Sequence, residues 1–328
     1  MSRLAITGVS GLLGGNLAAE AIAAGHHVIA TKRAGTKIKH LADLPIEWRE
    51  ADLSSRDALS KAFAGADAVF HCAAAVGVMR EVTREMREAN VTGTVNVIDA
   101  CVAAGVKRLV HTSSVVAIGL STNGVPCDET ATWNFDKEGL LDAYAITKHE
   151  AEQVVRAALD RLDAVIVNPT YMFGPRDARP SSGGMIIKVV QRKVPGWTDG
   201  YNNFVDVRDV ARGMLAAWQK GRSGQRYILG GHDMTYRVCF ETIAKVAGVK
   251  PPRFRVPIPI AKVFGRVGDL IEARGKEPVV NSTQIRYAYT DKFRFRSQKA
   301  ANELGYTYGP LETAIADALG WFRANGMA

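Results

Sequence analysis

The sequence predicts an α/β protein in which a doubly wound parallel sheet is covered by helices on both faces. Three observations point there. Short apolar runs alternate with stretches of helical spacing through the first half of the chain, and a glycine-rich turn joins the first run to the first helix. The composition, 47% hydrophobic and 23% charged over 328 residues, is that of an ordinary globular protein. Such a length allows one large or two modest domains. No stretch approaches the roughly 18 uninterrupted apolar residues of a membrane helix, so neither a membrane span nor disorder is expected.

The elements follow in order. Residues 3–7, 27–31, 68–72, 108–113 and 164–168 are short runs of Val, Ile, Leu or Ala with polar punctuation, which reads as buried strands. Between them, residues 12–24, 56–64, 90–104 and 143–159 carry helical spacing. Strand and helix alternating at this rhythm favour a parallel sheet that binds ligands at the carboxyl ends of its strands. After Asn168-Pro169, Gly174-Pro175, Arg179-Pro180 and the run 181–184 (Ser-Ser-Gly-Gly) are loop chemistry. Residues 204–219 and 225–229 look like one more helix and strand returning to the sheet. Further helices, a stretch broken by Pro251, Pro252, Pro257 and Pro259, and a last helix near 311–324 suggest a smaller, mostly helical lobe.

Charge and cysteines narrow the function classes. Residues 1–174 hold 17 Lys and Arg against 20 Asp and Glu, a net of −3, while residues 175–328 hold 25 against 13, a net of +12. An asymmetry of this kind fits an acidic ligand, a membrane surface or simply a solvated basic face. Cys72, Cys101, Cys127 and Cys239 lie far apart without a CxxC, which signals neither zinc nor disulfides and fits a reducing cytoplasm. The apolar start after Arg3 is broken by Gly8, Gly11, Gly14 and Gly15, so a secretion signal is not expected.

The turn Thr7-Gly8-Val9-Ser10-Gly11-Leu12-Leu13-Gly14 follows the first strand and opens the first helix. In that context Gly8 makes the tight turn, Gly11 lets backbone approach a pyrophosphate, and Gly14 lets the helix pack closely on the strand. The free N–H groups and positive dipole end of the helix then face the phosphates. This is the Rossmann arrangement. Residues 1–174, with 204–230 returning to the sheet, are expected to bind the dinucleotide; residues 175–203 and 231–328 are expected to form the substrate lobe.

The TGxxGxxG spacing resembles the short-chain dehydrogenase/reductase superfamily. So do Tyr144 and Lys148, four residues apart on one helix, and Ser114 some thirty residues upstream. Length and further matches are similar to the extended branch, the NAD-dependent epimerase/dehydratase family: Asp52-Leu53, the run from His71 to Ala74, Asn90 to Thr94, Asn168-Pro169-Thr170 and the run from Phe204 to Val210. Together these cover about two thirds of the chain in the right order. Within that branch the runs Thr31-Lys32-Arg33, Thr112-Ser113-Ser114 and Asn168-Pro169-Thr170 are more similar to the dihydroflavonol reductase and hydroxysteroid dehydrogenase group, and residues 195–204 to hopanoid-associated epimerase-like proteins.

The resemblance implies Ser114, Tyr144 and Lys148 as catalytic residues. Residues at i and i+4 share a helix face, so the Lys148 ammonium is expected to lower the Tyr144 pKa toward the working range of a general acid or base. Ser114, five residues before Gly119, would hold the same carbonyl oxygen; chemistry alone does not separate it from Ser113. The cofactor would be held by Thr7, Gly8, Ser10, Gly11, Leu12, Leu13, Gly14, Lys32, Arg33, Asp52, Leu53, Ala73, Ala74, Asn90, Thr112, Tyr144, Lys148, Asn168, Pro169 and Thr170. Asp52 would accept from the adenine amino group, and Asn90 would brace the catalytic helix or hold a water. His71 and His111 read as satisfied core histidines. Lys32 and Arg33 end the second strand where NAD enzymes place an acid, which favours NADP.

The expected reaction is reduction of a ketone or aldehyde, or oxidation of a secondary alcohol. The runner-up is a sugar-nucleotide epimerase, and a third reading is an NADP sensor without turnover. Val115 and Val116 stand where dehydratases of the family carry acids. Met172, Phe173, Met185, Ile186, Ile187, Trp197, Tyr201 and Phe204 offer an apolar pocket or a lobe core. Arg176 and Arg179 offer an anion site instead. A homodimer through helices 90–104 and 143–159 is expected, with no nucleic acid partner and no metal.

Overall fold

In the computed structural model, which describes residues 1–275 and 280–328, the first half of the chain builds the sheet as the alternation predicts. It comprises β1 (Arg3–Thr7), α1 (Leu12–Ala23), β2 (His27–Lys32), β3 (Glu47–Glu50), α2 (Arg56–Phe63), β4 (Ala68–His71), α3 (Arg84–Arg87), α4 (Gly93–Ala103), β5 (Arg108–Thr112), α5 (Ala143–Ala157) and β6 (Ala164–Pro169). The second half adds β7 (Tyr171–Phe173), α6 (Gly184–Val190), β8 (Tyr201–Asp206), α7 (Val207–Lys220), β9 (Arg226–Leu229) and β10 (His232–Thr235). It ends in α8 (Tyr236–Ala247), α9 (Ile258–Glu272), α10 (Ser282–Tyr289), α11 (Gln298–Leu304) and α12 (Leu311–Ala324).

Seven parallel strands form the main sheet in the order β3-β2-β1-β4-β5-β6-β9. The side-chain alternation of the strands sorts their residues onto two faces. Leu4 and Ile6 pack with Leu17 of α1 and Val210 and Met214 of α7, while Ala5 and Val69 pack with Phe63 of α2, Ile98 of α4 and Val155 of α5. Sheet order reverses at β1, where the chain leaves for β2 and β3 on one side and β4 on the other. A crevice therefore opens at the carboxyl ends of β1 and β4.

Two expectations need correction. Residues 204–206 are strand, not helix: they end β8, which pairs with β7 and β10, and α7 starts at Val207, where the Asp206 side chain caps it by accepting from the Arg208 N–H at 2.8 Å. The lobe is mostly helical, as expected, with the three-stranded sheet β10-β8-β7 beneath α6, α8 and α12. The predicted helix 90–104 also begins differently. Residues Glu88–Thr92 form a π-helical turn that runs into α4, and Asn90 is buried inside it.

Candidate active site

The crevice begins with backbone at van der Waals contact. Gly8 has φ +75, and a Cβ there would stand 2.6 Å from the Ala73 nitrogen; a Cβ on Gly14 would stand 2.4 Å from the Gly8 oxygen. Only glycine fits either place, so β1, β4 and the start of α1 meet more tightly than side chains permit. A Cβ on Gly11 would meet nothing nearer than 3.4 Å. No side chain caps α1 and no acid lies in its first turn, so the N–H groups at Leu12 and Leu13 face outward as an anion would require. Ser10 is half-buried beside this turn. The sequence-predicted cradle is thus brought together.

Thr7 closes the floor. Its hydroxyl shares a 2.8 Å hydrogen bond with His71 Nδ1 and accepts from the Ala73 N–H at 3.2 Å. The Ala73–Ala75 segment is then held by Asn90, whose Nδ2 donates to the Ala75 carbonyl at 2.9 Å and whose Oδ1 accepts from the Ala75 N–H at 2.7 Å. Asn90 Nδ2 also reaches Thr147 Oγ1 of α5 at 3.1 Å. Asn90 is therefore a brace between the strand end and α5.

Tyr144, Lys148 and Glu152 lie at successive i, i+4 positions of α5, which Asp142 caps by accepting from the Ala145 N–H at 2.6 Å. Lys148 Nζ donates to the Thr112 carbonyl at 2.6 Å. Burial lowers the Lys148 pKa to about 8, with the Glu152 charge opposing. The expected lowering of the Tyr144 pKa is not what the structure gives: burial pushes it up to about 12, opposed by a hydrogen bond with Ser114. The ammonium, turned to Thr112, does not offset the desolvation of the phenol. Tyr144 is then a protonated phenol at neutral pH, the form that can donate a proton.

Glu152 was not singled out in the sequence, although its i+4 spacing from Lys148 was the signal. Its buried carboxylate accepts from Ser113 Oγ at 2.8 Å and Asn168 Nδ2 at 3.1 Å, and pairs with Arg226 of β9 at 3.2 Å. Ser113 is thereby committed below the cleft, and Ser114 is the serine left at the phenol. Asn168 Nδ2 also holds the Ser114 carbonyl at 2.9 Å.

The remaining residues divide. Lys32 ends β2 and Arg33 follows it, and neither side chain has a hydrogen-bond or ion-pair partner among the described residues. Asp52 Oδ1 is engaged by the Ser54 N–H and hydroxyl at 2.9 and 2.7 Å, which holds its carboxyl below the usual range, and Leu53 packs against Gly93. Thr112 also points its hydroxyl at Cys72 Sγ, and Ala74, Pro169 and Thr170 line strand ends, with Thr170 Oγ1 buried and unpartnered among the described residues. His71 is satisfied and neutral, its pKa lowered to about 3 by burial. His111 departs from expectation: both ring nitrogens are buried without a partner among the described residues. Arg176 forms a bidentate ion pair with Asp43, in the turn between β2 and β3, so its guanidinium is already engaged. Phe173, Ile186 and Phe204 are lobe core, with Met185 and Ile187 packed against it. No cluster of metal-binding side chains occurs among the described residues. A cavity of about 900 Å³ lies on the outer flank of α5 and contains none of the predicted site residues.

Comparison with known proteins bears on the family and the fold. The sequence model of the NAD-dependent epimerase/dehydratase family matches residues 4–230. A relative from Synechocystis sp., provisionally named dihydroflavonol 4-reductase, is 33% identical over 98% of this chain and 94% of its own length. Sterol demethylase protein B from Methylococcus capsulatus is 31% identical over 98% of each chain. The crystal structure of a nucleoside-diphosphate-sugar epimerase from Pseudomonas aeruginosa superposes with a TM-score of 0.82 at 26% identity and covers 99% of each chain.

Proposed function

The chain belongs to the NAD-dependent epimerase/dehydratase family, the extended branch of the short-chain dehydrogenases/reductases, and within it we propose an NADP(H)-dependent oxidoreductase that reduces a ketone or aldehyde, or oxidises a secondary alcohol. What supports this reading is Tyr144 within hydrogen-bond reach of Ser114, and Lys148, one turn further along α5, donating to the Thr112 carbonyl at the end of β5 at 2.6 Å. The cradle fits the cofactor by its own shape: backbone contact at Gly8 and Gly14, open space at Gly11, and two unpaired cations at the end of β2 where a 2′-phosphate would lie.

Bound there, NADPH supplies the hydride. Ser114 donates a hydrogen bond that fixes the substrate oxygen, and Tyr144 gives that oxygen its proton. The Lys148 ammonium, positioned by the Thr112 carbonyl, would stabilise the phenolate that Tyr144 leaves, which is reprotonated from solvent, and would hold the cofactor ribose. Tyr144→Phe should lower turnover by at least about 100-fold with NADPH affinity unchanged. NADPH oxidation across a carbonyl panel reads this. A wild type that binds NADPH yet reduces nothing would make the chain a sensor.

The substrate in this reading is an apolar or aromatic ketone. Names of the relatives support it, a dihydroflavonol reductase and a sterol demethylase protein, as does the engagement of Arg176 elsewhere. The epimerase reading draws on the Pseudomonas structure. Kinetics on matched ketones with and without a phosphate decide: a salt-sensitive preference for the anionic member favours the epimerase.

Four free thiols suit a reducing cytoplasm, and no described helix is long and apolar enough to cross a membrane. A homodimer through α4 and α5 completes the proposal. Val102 of α4 is a large apolar side chain left exposed, and a monomer in sedimentation at micromolar concentration would refute the dimer.

A further inference from the structure

Helix α9 exposes an apolar stripe that no described part of the chain covers. Ile260, Val263, Phe264, Val267 and Leu270 are 51, 58, 62, 50 and 59% exposed. At 100° per residue these five fall within an arc of about 120°, one continuous stripe. The neighbouring face, with Ala261, Gly265 and Gly268, is buried, and there α9 packs on Val280 and on Ser282 at the start of α10. Phe254, just before the helix, is 57% exposed as well. A stripe this size costs free energy in water and marks a surface that meets something apolar.

The charges around it identify the occupant. Between residues 250 and 275 stand six cations, Lys250, Arg253, Arg255, Lys262, Arg266 and Arg274, against two acids. Both acids turn inward: Asp269 accepts from the Ser282 N–H at 3.0 Å, and Glu272 accepts from Asn281 Nδ2 at 3.0 Å. All six cations are exposed, and of them Arg255 pairs with Asp199. The surface is apolar in the middle and positive at its edges. A symmetric contact with a second copy would set these cations against one another. An anionic lipid surface satisfies both halves, taking the apolar side chains between its acyl chains while its headgroups neutralise Arg266 and its neighbours. Fifteen residues with charged flanks lie in the interface plane and do not span.

We propose that α9 docks this protein peripherally on an anionic lipid bilayer. Docking there sets the cleft at the membrane surface, because the start of α10 is tied to the loop beyond the Ala73–Ala75 segment by Asn281 Nδ2, which donates to the Val78 carbonyl at 3.0 Å, and Tyr287 donates to the Leu140 carbonyl, just before α5, at 2.9 Å. The proposal does not depend on the reductase reading.

The full chain is floated with phosphatidylcholine vesicles with and without phosphatidylglycerol. It should float with the anionic vesicles, and at least about tenfold less with the neutral ones, since each cation near such a surface strengthens attachment about fivefold. Phe264→Ser/Leu270→Ser should abolish flotation, and Lys262→Glu/Arg266→Glu should weaken it at least tenfold; unchanged far-UV dichroism and NADPH affinity show that both variants fold. Three results would overturn the proposal. One is no flotation with anionic vesicles, another is equal flotation of the Phe264→Ser/Leu270→Ser variant, and the third is a sedimentation dimer of the wild type that the same variant dissolves, which would make the occupant a second copy.

Discussion

His111 sits in the middle of β5 with neither ring nitrogen hydrogen-bonded among the described residues, 5.5 Å from the ring of His71. Burial drives both pKa values down, to about 3 for His71 and well below the ordinary value for His111, so both rings are neutral in the folded state. The unfolded chain takes up protons on both rings below about pH 6.5, whereas folded His71 does so only near pH 3 and folded His111 only well below its ordinary value. Stability is therefore full above pH 6.5 and is lost as the pH falls from there toward 3; at pH 5 His71 alone costs about 2 kcal/mol. His111→Leu removes an unsatisfied polar group and one of the two titrations. It should raise stability at pH 7 by about 1 kcal/mol and shrink the loss between pH 7 and 5. Urea midpoints at the two pH values check this, and a lower midpoint for the variant at pH 7 would contradict it. The glycine cradle and the Tyr144–Lys148 spacing were legible in the sequence because they depend on neighbours along the chain. Ser114 could be picked over Ser113 by its spacing to Gly119, but the physical ground for it could not be seen, because Ser113 is engaged by Glu152, 39 residues away. The phenol's pKa was misjudged for a related reason: spacing shows that an ammonium is near, but not that burial outweighs it.

At the scale of elements, α5 carries Tyr144 and Lys148 and is anchored through Glu152, which is 1% exposed and holds Arg226, itself 15% exposed. Arg156 meets the same carboxylate from a side chain 35% exposed. Removing the acid leaves Arg226 buried without its partner, whereas removing Arg156 frees a screened contact. Glu152→Ala should cost about 3 kcal/mol and Arg156→Ala less than about 1 kcal/mol, read as the difference in unfolding midpoints. Equal costs would show that Arg226 does not need the pair, its guanidinium being satisfied by the carbonyls of Glu129 and Ala131. The elements themselves differ in how plainly they were written. Central strands such as Ala164–Pro169 are buried on both faces and read as unbroken apolar runs. β3, Glu-Trp-Arg-Glu, lies at the sheet edge and shows no such run. β8, Tyr201–Asp206, begins with polar residues and merges into the amphipathic pattern of α7, so the boundary at Val207 became visible only through the Asp206 cap and the pairing with β7 and β10.

Over the whole molecule the C-terminal lobe is tied to the main sheet on its α7 and β9 side. Leu304 and Tyr306 belong to the same core cluster as Val210 and Met214, Tyr306 donates to the Gly230 carbonyl at 3.0 Å, and Arg208 pairs with Asp317 at 2.7 Å. Shared core means shared unfolding: the chain should melt in one transition. A ligand that binds only the folded crevice then stabilises both halves together. NADPH at about 100 times its Kd adds about 2.7 kcal/mol, which for a chain of this size raises the midpoint by about 4 °C. NADH at the same concentration, held without the contacts of Lys32 and Arg33 to a 2′-phosphate and so about tenfold weaker, should raise it by about 2 °C. In Lys32→Ala/Arg33→Ala the NADPH shift should fall to the NADH value while the NADH shift stays put. Scanning calorimetry with each cofactor measures all three quantities. Equal shifts for the two cofactors in the wild type would remove the case for NADP. Two transitions, with only one moved by cofactor, would show that the contacts of Tyr306 and Arg208 are too weak to make the halves unfold as one.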